Sequence, residues 1–226
     1  MVLFQRCLTV TGWKLSKLTH ESVGKHMLDK SIPYKNIIMR ADSFSEKKAF
    51  HLPQGFSCKA FSLGDEPHWA EVEASVGEFD SSEEALVYFE KKYLPELENL
   101  KQRCRFIIAP DGSYAATCTA WTGLQDSQTI GALHWLAVRP EYQRKGLARV
   151  LVQEIMQIFN DLDEFPVYLH TQTWSHAAVL LYCHAGFRIL KFGSFDDSAN
   201  DYSQAMAILK DAVTPEAYTF LLRNSV

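Results

Sequence analysis

Residues 133–148 constrain the fold more than any other stretch, because an apolar run, a charged turn and a glycine that opens a helix follow one another. Residues 133–138 are predicted to form a buried strand, which Arg139 and Pro140 end. The helix after the turn carries apolar residues at helical spacing, namely Leu147, Val150, Leu151, Ile155 and Ile158. The chain is therefore expected to run from strand through loop into a helix N-terminus.

The loop between these elements has the chemistry of a phosphate-binding site. The first N–H groups of a helix lack intrahelical partners and lie at the positive end of the helix dipole. Gly146 and Ala148 let a ligand approach that backbone, because neither has bulk beyond Cβ and glycine also tolerates positive φ. Arg144 and Lys145 add positive charge. We therefore expect a pyrophosphate at this helix N-terminus.

The composition is that of a globular protein with one core. The chain has 226 residues, of which 47% are hydrophobic and 22% are charged. It has no run of about 18 apolar residues, so no membrane partner is expected. The N-terminus does not resemble a signal peptide, because Gln5 and Arg6 interrupt its apolar residues. We expect a cytoplasmic protein.

Cysteine content, charge and histidine spacing argue against three further classes of protein. The five cysteines form an odd set with no CxxC pair, which favours reduced thiols over a disulfide framework. The formal net charge is −4 and the pI is near 6.1, so no nucleic-acid partner is expected. The histidines show no HExxH or HxH spacing, so no metal site is expected.

The other local signals predict a mixed sheet with helices on both faces. Pro110, Asp111 and Gly112 favour a tight reversal and predict a hairpin of residues 104–109 and 113–121. Further strands are predicted at 33–40, 56–61, 132–138, 166–172, 187–191 and 204–209, helices at 67–76, after Ser81 or Ser82, at 146–160 and at 175–185, and a loop at 123–129. Early hairpins and a later β-α-β-α-β order indicate a mixed sheet.

A soft domain boundary is expected near residues 51–55, since the chain has no repeat, low-complexity tract or long linker. We predict that residues 1–52 form an N-terminal extension packed on the core and that residues 53–226 form the main domain. Whether the extension closes a substrate site, forms a dimer or covers a sheet edge stays open at this point.

Two motifs carry a family resemblance. Residues 143–148 read QRKGLA, and residues 175–187 read SHAAVLLYCHAGF. The first resembles the Q/R-x-x-G-x-G/A signature of the GNAT superfamily of N-acetyltransferases, and the second resembles that superfamily's later helix motif N-x-x-A-x-x-x-Y-x-x-x-G-F. Ser175 stands where the family has asparagine, which affects a side-chain contact to CoA and not the fold.

The resemblance implies an α/β GNAT fold over about residues 56–209, with a central, mostly antiparallel sheet, a splayed parallel strand pair and helices on both faces. It also implies acetyl-CoA as the cosubstrate, with its pantetheine arm between the splayed strands. A backbone N–H of the strand before the phosphate loop would stabilise the oxyanion of the tetrahedral intermediate. The residues implied in cofactor binding are Leu136, Ala137, Val138, Gln143, Arg144, Lys145, Gly146, Leu147, Ala148, Ser175 and Tyr182.

His134 is the candidate base. An alkyl ammonium with a pKa of ~10.4 is only about four parts in ten thousand neutral at pH 7, so transfer to an amine needs a base or a water chain. Strand alternation predicts that His134 shares a face with Ala132, Leu136 and Val138. The spacing H-x-L-A-V resembles arylalkylamine N-acetyltransferases, in which a histidine here relays the amine proton.

Two alternatives to this role of His134 stay open. Many superfamily members carry a base two residues upstream, where this chain has Ala132, so the role falls either to His134 or to water. A core histidine that is hydrogen-bonded to a backbone carbonyl is the purely structural alternative.

Tyr182 occupies the position at which the family carries the tyrosine that protonates the departing CoA thiolate. A phenol with a pKa of ~10 can donate to a thiolate whose conjugate acid has a pKa of ~8.5. The alternative is an aromatic side chain that only packs helix against sheet. The resemblance also implies a substrate pocket that includes Trp69, Glu78, Phe79, Trp121, His170 and Trp174, for which packing or surface exposure is an equal alternative.

These residues predict an N-acetyltransferase that transfers an acetyl group from acetyl-CoA to a primary amine by direct attack in a ternary complex. The acceptor is a small molecule or a peptide, and a homodimer stays open. The alternative is an acyl-CoA-binding module without catalysis. A P-loop nucleotide-binding protein is disfavoured, because G-x-x-x-x-G-K-[ST] is lacking.

Overall fold

One seven-stranded sheet forms the centre of the computed structural model, which describes residues 28–44 and 50–226. Its strands are β1 (Asn36–Ala41), β2 (Ser57–Ala60), β3 (Cys104–Ile108), β4 (Tyr114–Gln125), β5 (Gln128–Val138), β6 (Val167–Gln172) and β7 (Arg188–Ile189). A separate hairpin consists of β8 (Ser194–Phe195) and β9 (Ser198–Ala199). Residues 1–27 and 45–49, which include Cys7, Gln5, Arg6 and much of the expected extension, lie outside the described residues.

The strand order is β2-β3-β4-β5-β6-β1-β7. Every neighbouring pair is antiparallel except β5 and β6, which are parallel through Gly131 opposite Val167 and Ala132 opposite Tyr168. The ladder between these two strands has only those two pairs within the described part of the chain. The predicted mixed sheet, mostly antiparallel with one parallel pair, is confirmed.

Within the described residues, seven α-helices cover the two faces of this sheet. They are α1 (Glu66–Ser75), α2 (Ser82–Lys92), α3 (Leu97–Arg103), α4 (Leu147–Asp161), α5 (His176–His184), α6 (Tyr202–Ala212) and α7 (Pro215–Arg223), with short 3₁₀ turns at Leu94–Glu96, Pro140–Tyr142 and Thr173–Ser175. The first three share one apolar cluster and the last four another. Ala120 and Trp121, consecutive on β4, belong to different clusters, so the clusters lie on opposite faces.

Local signals fixed the ends of several elements. The side chain of Ser81 accepts a hydrogen bond from the N–H of Glu84 at 3.2 Å, which caps α2 as predicted. Pro110 to Gly112 form the turn between β3 and β4.

No helix within residues 28–44 and 50–226 is long and apolar enough to cross a membrane. The four described cysteines are free, and Cys58 alone among them is exposed.

Three predictions of secondary structure are corrected. The segment Gln204–Leu209 lies within α6 and is not a strand, because its buried residues Ala205, Met206 and Leu209 follow the spacing of a helix stripe. Residues 123–129 are mostly strand, because Asp126 and Ser127 alone make the turn between β4 and β5, both with positive φ. The strand predicted over 187–191 shortens to β7.

Strand β1 is an internal strand of the sheet, between β6 and β7, although residues 1–52 were expected to pack on the core as an extension. All six of its residues pair with β6, and Met39 and Arg40 also pair with β7. Its burial fits this position, because Ile37, Ile38, Met39 and Ala41 are all buried. Part of the segment expected to be an extension therefore completes the sheet, whereas the boundary between residues 52 and 53 stays a prediction.

A β-bulge changes which residues of β5 share a face. Thr117 of β4 pairs with Ala137 and Thr119 pairs with His134, so one residue of β4 lies opposite two of β5. Trp135, within this bulge, has φ of +50°. Alternation breaks there, and Leu136 and Val138 pack in the cluster of α4, whereas His134 contacts Tyr93 after α2. The prediction that His134 shares a face with Leu136 and Val138 is therefore wrong.

Candidate active site

A cavity of about 360 Å³ opens where β5 and β6 part beyond their two paired positions. Its walls come from the segment before β1, from α1, the turn after it and α2, from β5, β6 and α5, and from the β8–β9 hairpin. The lining residues used below are Lys30, Glu73, Glu78, Tyr88, His134, Trp135, Leu136, His170, Trp174, Ser175, Tyr182 and Asp196. The divergence of two parallel strands thus creates the space of the cavity. It also leaves a length of β5 backbone that does not pair with β6.

The structure brings some of the predicted site residues together and separates others. His134, Leu136, Ser175 and Tyr182 all line the cavity. Ala137 instead packs its side chain against α1, and Val138 belongs to the cluster of α4. The predicted phosphate loop, residues 143–148, lies beyond the end of β5 and does not line the cavity.

The N-terminus of α4 is open, as an anion site requires. Gly146 is the N-cap residue, with φ of +85° and no side-chain cap. A Cβ built on Gly146 would meet no atom within 4 Å, so the space before the first turn is clear. The carbonyl of Val138 accepts a hydrogen bond from the Gln143 amide at 3.0 Å, which fixes the loop to the strand. The first N–H groups of a helix have no intrahelical partner, so an uncapped terminus of this kind can accept an anion.

The remaining loop residues differ in exposure. Arg144 and Lys145 are exposed, and Arg144 has φ of +61°. The ammonium of Lys145 lies 5.1 Å from the ring centre of Tyr142. Leu147 is buried and Ala148 half-buried on the first turn of α4. The two positive side chains are therefore exposed beside the first turn of α4, which Leu147 anchors to the core.

Tyr182 reaches the cavity from α5 and is 6% exposed. Burial raises the pKa of its phenol well above the ordinary value of 10, and Cys118, Glu78 and Glu73 act in the same direction. The phenol is thus held protonated at neutral pH. Its ring packs edge-on against Phe187, with centroids 5.9 Å apart, so the side chain is held in place.

His134 is held neutral. Burial, followed by the positive charge of Lys92, lowers the pKa of its imidazole to about 4, and Asp196 opposes this only in part. Its Nδ1 lies 3.2 Å from the hydroxyl of Tyr93, at hydrogen-bond distance. The ring can accept a proton during a reaction, but its low pKa makes it a weak base at pH 7.

This environment of His134 gives a direct prediction. As pH falls through 6.5, an unperturbed histidine would gain a proton, whereas His134 should stay neutral until about pH 4. A nuclear magnetic resonance titration of the imidazole signals measures this, and the spectrum of His134→Gln identifies the signal. A midpoint near 6.5 would contradict the buried, neutral assignment.

Glu73 is a site residue that the sequence reasoning missed. It lies on α1, is 1% exposed and lines the cavity. Burial raises the pKa of its carboxyl well above the ordinary value, and repulsion by Glu78 adds to the effect. The signal was present: Trp69, Val72, Glu73 and Val76 have helical spacing, which puts an acid on an apolar face.

The expected pocket residues divide into two groups. Glu78, His170 and Trp174 line the cavity. Trp69, Phe79 and Trp121 lie in or against the apolar cluster of α1 and α2 instead. That cluster reaches the cavity through Trp135, whose indole N–H donates to the Tyr88 hydroxyl at 3.2 Å. Among the described residues, no three His, Cys, Asp or Glu side chains are grouped to hold a metal ion.

Comparison with known proteins decides the family. The model of the acetyltransferase (GNAT) family matches residues 69–187, which is more than half of the chain and contains the divergence of β5 and β6 as well as both motifs. The chain belongs to the GNAT family. The resemblance expected from the two motifs is confirmed, and so is the enzyme class, because the matched domain is an acyltransferase domain.

Solved structures show the GNAT fold as well. A GCN5-related N-acetyltransferase from Sphaerobacter thermophilus is 23% identical with a TM-score of 0.56, and the match covers 70% of this chain and 49% of that one. An acetyltransferase of the GNAT family from Colwellia psychrerythraea is 13% identical with a TM-score of 0.52, covering 70% and 54%. The chain thus spans about half the length of these structures. A search of curated proteins finds no significant match.

Proposed function

We propose that this GNAT protein transfers an acetyl group from acetyl-CoA to a primary amine by direct attack in a ternary complex. The observation that carries the proposal is that His134, Leu136, Ser175 and Tyr182 line one cavity at the divergence of β5 and β6. The open N-terminus of α4 supports it, because it offers an anion site beyond the end of the same strand.

The cosubstrate would be held mainly by backbone groups. Leu136, Ala137 and Val138 would hydrogen-bond the pantetheine arm, as one strand bonds another. The loop of Gln143, Arg144, Lys145, Gly146, Leu147 and Ala148 would hold the pyrophosphate, with Ser175 and Tyr182 on the opposite side. When bound, the cosubstrate supplies a thioester that an amine can attack. A β5 backbone N–H would stabilise the oxyanion that develops on its carbonyl.

Two side chains have proposed roles in moving protons. Tyr182, held protonated by burial, donates to the departing thiolate. His134 or a water molecule takes the proton that the amine loses, and the hydroxyl of Tyr93 at Nδ1 would orient the imidazole. No covalent enzyme intermediate is needed. The cytoplasmic location, the homodimer and the domain boundary stay predictions.

Thiol release from acetyl-CoA tests the proposal over a panel of 2-phenylethylamine, putrescine, an amino acid amide and a short peptide. We expect amine-dependent thiol release with at least one member. Binding of acetyl-CoA without release for any amine would favour the alternative, an acyl-CoA-binding module. Failure to bind acetyl-CoA or CoA in calorimetry would overturn both.

A further inference from the structure

The cavity contains a carboxyl oxygen that has no hydrogen-bond partner in the part of the chain that the structure describes. Oε1 of Glu73 is buried and has no hydrogen bond among the described residues. Leaving a polar atom buried and unpaired costs about 1–3 kcal/mol, so such groups are rare and call for an explanation. Because Glu73 also lines the cavity, a ligand can supply the missing hydrogen bond.

The charges around Glu73 select a positively charged ligand. Glu78 and Asp196 also line the cavity, and both are exposed, so they stand nearer its mouth than Glu73 does. Lys30, the one lysine among the described residues that line the wall, donates to the carbonyl of Gly77 at 2.9 Å and lies 5.4 Å from the ring centre of Trp174. A cation that enters therefore passes two carboxylates and ends at a third acid.

The wall beside these acids is aromatic. Trp135 and Tyr88, joined by the indole hydrogen bond, both line the cavity. An ammonium over such rings is attracted by their negative faces, by about 0.5–2 kcal/mol depending on desolvation. An ammonium also has three donors and no acceptor, which suits a site whose unpaired atom is a carboxyl oxygen.

We propose that Glu73 binds the amino group of the acceptor in the interior of the cavity and takes up the proton that the amine loses before it attacks the thioester. This inference rests on the proposed function and gives the role of base, left between His134 and water, to a residue on α1. Glu78 and Asp196 guide the charged amine inward, and His134 orients water or the substrate.

The protons balance through the cycle. At rest the buried carboxyl of Glu73 carries its proton, because burial raises its pKa. Binding of an ammonium releases one proton to solvent and leaves one shared between the carboxyl and the amine. With that proton on Glu73, the amine donates to Oε1 and its lone pair is free. The C–N bond forms, the C–S bond breaks, Tyr182 protonates sulfur, and the amide nitrogen's surplus proton restores Tyr182. Glu73 ends protonated, as it began.

The test uses Glu73→Gln, which keeps the shape of the side chain but cannot take up charge. The probes are 2-phenylethylamine, putrescine and a short peptide amide, with 2-phenylethanol as an uncharged analogue of the first. Their affinities are measured by calorimetry on the CoA-bound protein, so that no turnover is needed. Matched controls are Glu78→Gln at the mouth and Glu90→Gln on the exposed face of α2. Thermal unfolding checks that each variant is folded.

We expect Glu73→Gln to weaken the tightest-binding amine by ~10-fold or more, since a hydrogen bond to a charged group contributes about 1.5–3 kcal/mol. Affinity for 2-phenylethanol should not change. Glu90→Gln should match the wild type, and Glu78→Gln should weaken the amine less than Glu73→Gln does.

An unchanged amine affinity in folded Glu73→Gln, an equal loss for amine and alcohol, or no amine binding to the wild type would each overturn the inference. Amine binding that depends on Glu73 without any thiol release would sink the proposed acetyl transfer but leave the amine site standing. If Glu73→Gln released thiol at the wild-type rate and bound the amine with unchanged affinity, the role of Glu73 would be overturned. The proposed acetyl transfer would still stand.

Discussion

Replacing Tyr182 by phenylalanine is expected to lower kcat by about 10²–10⁴, the range that general acids supply. The phenol is buried at the cavity wall, and its raised pKa keeps it protonated before the CoA thiolate forms. Phenylalanine keeps the packing against Phe187 and removes only the hydroxyl. The KM for acetyl-CoA should therefore change little. Steady-state kinetics with an amine that gives thiol release measures both constants.

The matched control for this substitution is Tyr218→Phe on α7, which is half-buried and does not line the cavity. It should leave kcat unchanged. If Tyr182→Phe also left kcat unchanged, or if it raised the KM for acetyl-CoA alone, Tyr182 would not be the proton donor. Its place in the cavity wall would then be only a packing role.

Gly146→Val is expected to weaken CoA binding by about 10-fold or more. Gly146 caps α4 with φ of +85°, a region that costs other residues about 1–2 kcal/mol. A valine therefore shifts the loop to another conformation. Binding of CoA would have to return the loop to its original conformation at a cost of about 1–2 kcal/mol, which corresponds to a rise of about 10-fold in the Kd for CoA. Its side chain would also stand in the clear space before the first helical turn. Calorimetric titration with CoA measures the change.

Gly64→Val is the matched control, because Gly64 also has positive φ and clear space around its Cβ position. It precedes α1 and is not part of the phosphate loop. Both variants should lose stability by similar amounts, whereas only Gly146→Val should lose CoA affinity. Equal CoA affinity in the two variants would mean that the N-terminus of α4 does not bind the pyrophosphate.

The elements predicted correctly have local causes. The turn from Pro110 to Gly112, the cap at Ser81 and the apolar stripe of α4 each depend on residues close together in the chain. The errors arose where distant residues decide. Residues 204–209 are an apolar run too short to distinguish a strand from part of a helix. The position of β1 between β6 and β7 depends on segments far along the chain.

The part of the candidate site that could be predicted from the sequence is the part formed by motifs of fixed spacing. Gly146 and Tyr182 belong to motifs with fixed spacing, so their neighbourhood could be expected. The bulge at Trp135 has no such motif, and it reverses the faces of the residues that follow His134. Glu73 was not predicted, because a single acidic residue in a helix is normally expected at the surface, and its burial depends on residues that pack around α1.

Single-turnover transfer from isotopically labelled acetyl-CoA tests direct acetyl transfer most directly. The protein is mixed with the labelled cosubstrate and the amine that gives thiol release, and products are identified by mass spectrometry. Label recovered as an amide on the acceptor nitrogen, with none on the protein, is the expected result. Label found only in free acetate, or bound covalently to the protein, would contradict direct attack by the amine in a ternary complex.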